Sequence, residues 1–277
     1  MLHNASNSWR TWARRNNDIV ALPFILVGVI IFFSIATQGS FLSLGNFDAL
    51  ASQIPELGLL SLAIMVIMIT GGIDLSTIST ANLVAVVMAL IMTRAIPEGS
   101  GTGTVLAVMV AAVAVGAVLA MLLGLVNGVL VAYIGLPAML ATLGTMIFYE
   151  GLTLAITSGY VVSGVPELYT GLSTARLLGI PLPVYIFASG AIVVATILSR
   201  TPFGKYLFMI GSSVTATRFS AIDTQKALAK AYVISGLLSG VAGMIMLSRF
   251  NAANARQGTS LQLLSILIVV LGGTDPN

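Results

Sequence analysis

The chain has 277 residues, 57% of them hydrophobic and 8% charged, whereas a water-soluble domain carries about 25% charged residues, so it has too few polar groups to cover a surface facing water. With a mean hydropathy of +1.04, the solvent for most of it is lipid. The lack of cysteine excludes disulfides and thiolate metal sites, the single histidine, His3, argues against a histidine-held zinc or iron within one chain, and a formal charge of +3 carries no nucleic-acid signature.

About 20 apolar residues cross a bilayer as a helix. Residues 1–18 form an N-terminal segment, and the first such run is 19–37. It is longer than the apolar core of a secretory signal, which is about 7–15 residues, so it reads as a retained helix. The second run is 55–70, starting a few residues earlier, and the third is 77–95. Between them lies "ITGGIDLST" (69–77). Its glycines, Gly71 and Gly72, permit a tight reversal. Asp74 there reads either as a cap on the next helix start or as an intramembrane carboxylate with a transport role. The fourth run, 104–134, exceeds a straight crossing and implies tilt. The fifth, 137–157, carries Glu150 well inside it, open to a substrate or proton role or to an interhelical hydrogen bond. Glu56 near the start of the second run is a third intramembrane carboxylate. The sixth and seventh runs are 183–199 and 229–248, and 261–273 begins an eighth. "GLVNG" (124–128, holding Asn127) and "GLLSG" (236–240) are spacings that let helix backbones approach closely.

Lysine and arginine mark the cytoplasmic side. Arg10, Arg14 and Arg15 precede the first run, and six crossings later comes the most basic loop, with Arg200, Lys205, Arg218, Lys226 and Lys230. Both clusters fit one span count with a cytoplasmic N-terminus. In that loop, 199–230, Pro202 and Gly204 read as a turn. Residues 214–222 read as a short helix with Val214, Phe219 and Ile222 apolar and Arg218 polar, and Asp223 reads as the cap of the next helix. Such a helix either lies on anionic lipid or docks a cytoplasmic protein. No phosphate loop, metal cluster or nucleophile–base set is present, so nothing points to covalent or hydrolytic chemistry. A single membrane domain, 19–277, is the simplest partition.

"ITGGIDLS" (69–76), "PAMLATLGTM" (137–146), "TPFGKYLFMIG" with "ATRFSAI" (201–211, 216–222), "SGLLSGVAGMI" (235–245) and "VVLGGT" (269–274) stand in the order and spacing of one family. The chain resembles the membrane permeases of bacterial ribose-type sugar ABC importers, relatives of the ribose, xylose, arabinose and galactoside permeases. The resemblance implies an all-α polytopic subunit of the type II importer kind, with ten helices. Eight are present here, and two more would lie beyond Asn277. It implies pairing with a second permease copy or paralogue in the bacterial inner membrane. It also implies docking to a cytoplasmic ATPase that holds ATP and magnesium, and delivery of sugar by a periplasmic binding protein, with no cofactor in this chain. In that family the loop matching 205–222 holds the coupling helix, which places Gly211, Val214, Ala216, Arg218, Phe219 and Ile222 at the ATPase contact. The family turn motif falls on Gly71, Gly72, Asp74, Leu75 and Ser76. Departures stand at Ile78, where relatives have a small residue, at Glu150, where they carry arginine, at Ala221, where they carry glycine, and at "LQLLSILI" (261–268), where they carry an acidic-plus-small pattern. Asn127 and Glu150 are therefore the candidates for the translocation path or solute selectivity. The competing expectation is a proton- or ion-coupled transporter or channel that works through Glu150 without any ATPase.

Overall fold

The computed structural model describes residues 17–97 and 99–274. His3, Arg10, Arg14, Arg15 and nearly all of the segment 1–18 lie outside the described residues. Residues up to Leu50 form one compact unit and those from Ala51 another.

In the first unit, α1 (Asn17–Ala36) is apolar from Ile19 onward except for Ser34, and holds Pro23. A 3-10 turn over Ser40–Leu42 follows, and α2 (Leu44–Met68) begins. Phe33 stacks on Phe41 at 5.6 Å between ring centroids, and the Asn46 side-chain amide donates to the Phe41 carbonyl at 2.7 Å.

The second unit holds the rest of α2, then α3 (Thr77–Ala95), α4 (Thr102–Ala132) and α5 (Ala138–Thr157). Next come β1 (Val162–Ser163), α6 (Glu167–Thr174) and a small hairpin of β2 (Arg176–Leu177) and β3 (Ile180–Pro181). Helices α7 (Leu182–Arg200), α8 (Pro202–Ser212), α9 (Val214–Phe219) and α10 (Thr224–Phe250) lead to β4 (Ala252–Ala253) and α11 (Thr259–Leu271). Among the described residues six helices are long and apolar enough to cross a membrane, namely α2, α3, α4, α5, α7 and α10. Two shorter apolar helices, Pro23–Ala36 and Thr259–Leu271, bring the apolar helices to the eight expected.

The differences from expectation sit at polar ends. Helix α2 begins at Leu44, earlier than the few residues before Pro55 that were expected. Helix α10, by contrast, begins at Thr224 as expected, because the Asp223 carboxylate accepts the Lys226 N–H at 3.0 Å and caps it. The expected turn at Pro202 and Gly204 is the first turn of α8. The Thr201 hydroxyl accepts the Gly204 N–H at 3.3 Å, and Pro202 takes the first helical position, where its missing N–H costs nothing.

Helix α10 is the axis of the bundle, packed on α4 and α3 through glycine. A Cβ on Gly124 would strike the Tyr232 carbonyl, one on Gly236 the Ala120 carbonyl, and one on Gly243 the Ala81 carbonyl. Water does not drive helices together inside lipid, so such backbone contact is the main source of their attraction. The outward faces of α4, α5 and α7 are apolar, with Val110, Leu140, Phe148 and Ile192 each more than 60% exposed, as contact with lipid requires. At the end of the bundle opposite α8 and α9, β1 pairs antiparallel with β4, Val162 facing Ala253. There the Tyr169 hydroxyl on α6 donates to the Met244 carbonyl at 2.8 Å. Near this end Glu56, almost wholly buried, forms a two-pronged ion pair with Arg249 of α10 at 2.6 and 2.8 Å.

Candidate functional site

Between α2 and α3 the backbone leaves helical geometry. Gly71 takes φ +83°, a conformation that favours glycine, and a Cβ on Gly72 would sit 3.0 Å from the Ala138 methyl. The segment then runs without regular structure to Ser76. Its peptide groups have no ladder, so neighbouring side chains satisfy them. Leu75 N–H donates to the Thr142 hydroxyl at 3.1 Å, and that hydroxyl's proton is shared between the Ala138 and Ile73 carbonyls at 2.8 and 3.1 Å. The Asp74 carbonyl accepts from the Gln262 side chain at 3.3 Å.

Asp74 is buried at the centre. Its Oδ1 accepts the Ser76 N–H and hydroxyl at 2.9 and 2.7 Å, and its Oδ2 accepts the Ser235 hydroxyl of α10 at 2.9 Å. Asn127 of α4 donates to Ser76 Oγ at 2.7 Å and accepts from the Thr145 hydroxyl of α5 at 2.6 Å. Gln262 of α11 accepts the Thr77 hydroxyl and the Ile78 N–H at 2.8 and 3.2 Å. A single network thus joins α3, α4, α5, α10 and α11 through one irregular strap. Asp74 departs from the expected cap. It holds the residue before α3, while one orphan donor of α3, the Ile78 N–H, is met by Gln262, 184 residues later in the chain. The chemistry available is hydrogen bonding and positioning, and no metal-holding group of carboxylates and histidine exists among the described residues.

Of the expected site residues, Gly71, Gly72, Asp74, Ser76 and Asn127 come together here. Glu150 does not. It forms an ion pair with Arg256, from the segment after β4, at 2.5 Å. Ser235, Thr142, Thr145 and Gln262 escaped the sequence reading as site residues, although the first three lie inside the quoted motifs and the fourth inside the divergent stretch "LQLLSILI". Polar residues within otherwise apolar runs were the signal.

The expected helix over 214–222 is shorter. Helix α9 is capped by the Ser213 hydroxyl, which accepts the Ala216 N–H at 3.2 Å, and it ends at Phe219. Val214, Ala216, Arg218 and Phe219 are exposed, Phe219 by 87%, while Ile222 is half-buried. Arg218 Nε donates to the Thr224 hydroxyl at 3.2 Å and ties α9 to the start of α10. A Cβ on Gly211 would collide with the Ile69 carbonyl, so α8 lies directly on the last turn of α2, just before the strap that holds Asp74. Ala221 adopts φ +59°, the left-handed region that favours glycine. Ala221→Gly is therefore expected to raise stability by about 0.5–1 kcal/mol, read as a higher thermal midpoint in detergent.

A family model described as "Branched-chain amino acid transport system / permease component" matches residues 46–276. The autoinducer 2 import system permease protein LsrD of Yersinia pseudotuberculosis (serotype O:1b, strain IP 31758) is 28% identical over 225 residues, covering 79% of this chain and 64% of that one. LsrD of Yersinia pestis (strain Pestoides F) aligns with the same identity and coverage. This chain thus spans less than two thirds of the length of these relatives. No solved structure matches it. The motifs, the apolar helices and a family match that takes in the strap, the network and α8–α9 agree, and the chain belongs to this family of ABC-importer permease components.

Proposed function

We propose that the chain is the membrane subunit of an ATP-driven importer for a sugar or sugar-like solute in the bacterial inner membrane. A cytoplasmic ATPase binds ATP and magnesium, a periplasmic binding protein delivers the solute, and a second permease copy or paralogue completes the path. Relatives named as permease proteins of an autoinducer 2 import system support a role in import. In this reading the N-terminus is cytoplasmic, which puts α8 and α9 on the ATPase side together with Arg200, Lys205, Lys226 and Lys230.

The contact of Gly211 with Ile69 carries the proposal. Motion imposed on α9 by the ATPase passes to α8, and from α8 to the last turn of α2, which leads into a strap without helical structure over residues 72–76. The strap holds Asp74, so its displacement shifts the register of five helices at once. Packed backbones transmit such shifts because they do not compress. Val214, Phe219 and Ile222 supply the apolar contact for the ATPase, with Ala216 leaving room and Arg218 setting the angle between α9 and α10. Asn127 orients α4 and α5 about the path. The competing proton-coupled reading needs a free carboxylate at Glu150, and Arg256 occupies it.

The test is reconstitution with the ATPase and binding protein. Arg218→Glu and Phe219→Glu are each expected to lower binding-protein-stimulated ATP hydrolysis and solute uptake about tenfold, the scale of losing an interface anchor worth ~1–2 kcal/mol. Undiminished coupled uptake in both variants, or uptake by the chain alone that uncouplers abolish, would overturn the assignment.

A further inference from the structure

Next to α8, the last turns of α4 and α7 and the first turns of α10 enclose an open groove of about 590 Å³. Small-molecule sites span about 300–1,000 Å³. Along α10 its wall is Lys226, Lys230, then Val233 and Ile234. At about 1.5 Å of rise per residue, this face passes from ammonium to hydrocarbon over about 10 Å. The other two walls change in the same direction, from Tyr133 to Leu125 on α4 and from Thr201 to Ile197 on α7. Three helices therefore place a water–lipid boundary across one groove, cationic at its mouth and apolar along its length. Lysines at such a boundary keep their charge in water while their stems line the apolar wall.

The charge at the mouth has a definite balance. The Lys226 ammonium lies 2.9 Å from an Asp223 carboxylate oxygen, and both are exposed. Lys230 has no carboxylate partner among the described residues. Two ammoniums and one carboxylate leave one net positive charge, which one phosphodiester neutralises. We propose that the groove is a binding site for one anionic phospholipid, its phosphodiester between Lys226 and Lys230 and an acyl chain along Leu125, Ile197, Val233 and Ile234. A zwitterionic lipid brings its own cation beside the phosphodiester and a bare apolar helix has no anion, so neither supplies the net negative charge that this mouth complements.

The probes are phosphatidylglycerol and phosphatidylcholine, added to the detergent-purified chain and followed by native mass spectrometry. Phosphatidylglycerol is expected to stay bound as a one-to-one adduct at collision energies that strip phosphatidylcholine. Replacing Lys226 and Lys230 by alanine removes two surface-proximal charges and is expected to cut that retention about tenfold or more. The double arginine variant keeps the charge and should keep the adduct, which controls for folding. Val233→Trp fills the apolar wall and should also release the lipid. Equal retention of the two lipids, or retention undiminished in the alanine variant, overturns the site. So does a Val233→Trp chain that holds phosphatidylglycerol normally, because the contact is then with the headgroup alone. A Val233→Trp chain that dissociates from dimer to monomer with its lipid binding unchanged would assign the groove to a second copy instead.

Discussion

Arg249→Ala is expected to destabilise the protein by about 3–5 kcal/mol, the range for stripping one partner from a buried ion pair. Glu56 is 1% exposed and accepts both prongs of the guanidinium at 2.6 and 2.8 Å. The guanidinium also lies 4.2 Å from the Phe250 ring centroid, so it is held from both sides. Removing it strands a buried carboxylate that pairs with no other basic side chain among the described residues. The cost belongs to the orphaned charge and not to the attraction that was lost. Glu56→Gln with Arg249→Met should therefore recover most of the stability that Arg249→Ala loses. Thermal unfolding of the two single variants and the double variant in one detergent checks this. A loss below about 1 kcal/mol in Arg249→Ala would show that the pair is not desolvated as described.

This pair also shows where sequence reading stops. Glu56 stands out from an apolar run as an ionisable residue, and Arg249 stands out as a basic residue of a segment between runs. Nothing in their spacing of 193 residues along the chain joins them. The helices themselves were legible, because hydropathy and the need to satisfy every backbone group in lipid leave little alternative. Their ends were less so. Helix α2 begins at Leu44, well before its apolar run, and α8 begins on a proline and a glycine that also suit a turn, whereas the Asp223 cap of α10 was legible. The glycine spacings foretold close packing but not the partners, since Gly124 and Gly236 meet only because α4 and α10 run side by side. Glu150 drew attention as a lone carboxylate, and its Arg256 partner sits 106 positions away. The motifs were more informative than their individual residues. Ser76, Thr142, Thr145 and Ser235 lie in three separate motifs, and all three converge on the strap that carries Asp74.

Asp74→Ala is expected to cost about 3 kcal/mol, the penalty for leaving buried donors without an acceptor. Three donors lose their partner at once, the Ser76 N–H, the Ser76 hydroxyl and the Ser235 hydroxyl. The hydroxyls can rotate to other acceptors, but the backbone N–H cannot. Asp74→Asn keeps an oxygen for that N–H and lets Ser235 turn to accept from the new amide, so its cost should be nearer 1 kcal/mol. Ser235→Ala should also cost about 1 kcal/mol. In the Asp74→Ala background, however, Ser235→Ala should add little, because the partner is already gone. Strict additivity in that double-mutant cycle would sink the role of Asp74 as the link between the strap and α10. The asparagine variant then separates fold from transport. It leaves the bundle close to native stability but weakens the grip of the strap on α10. If motion reaches the bundle through Gly211 and the strap, Asp74→Asn should lower binding-protein-stimulated ATP hydrolysis far more than it lowers the thermal midpoint. A variant that loses stability and coupling in equal measure would make Asp74 a packing residue alone, and the path from α9 would have to run through α10.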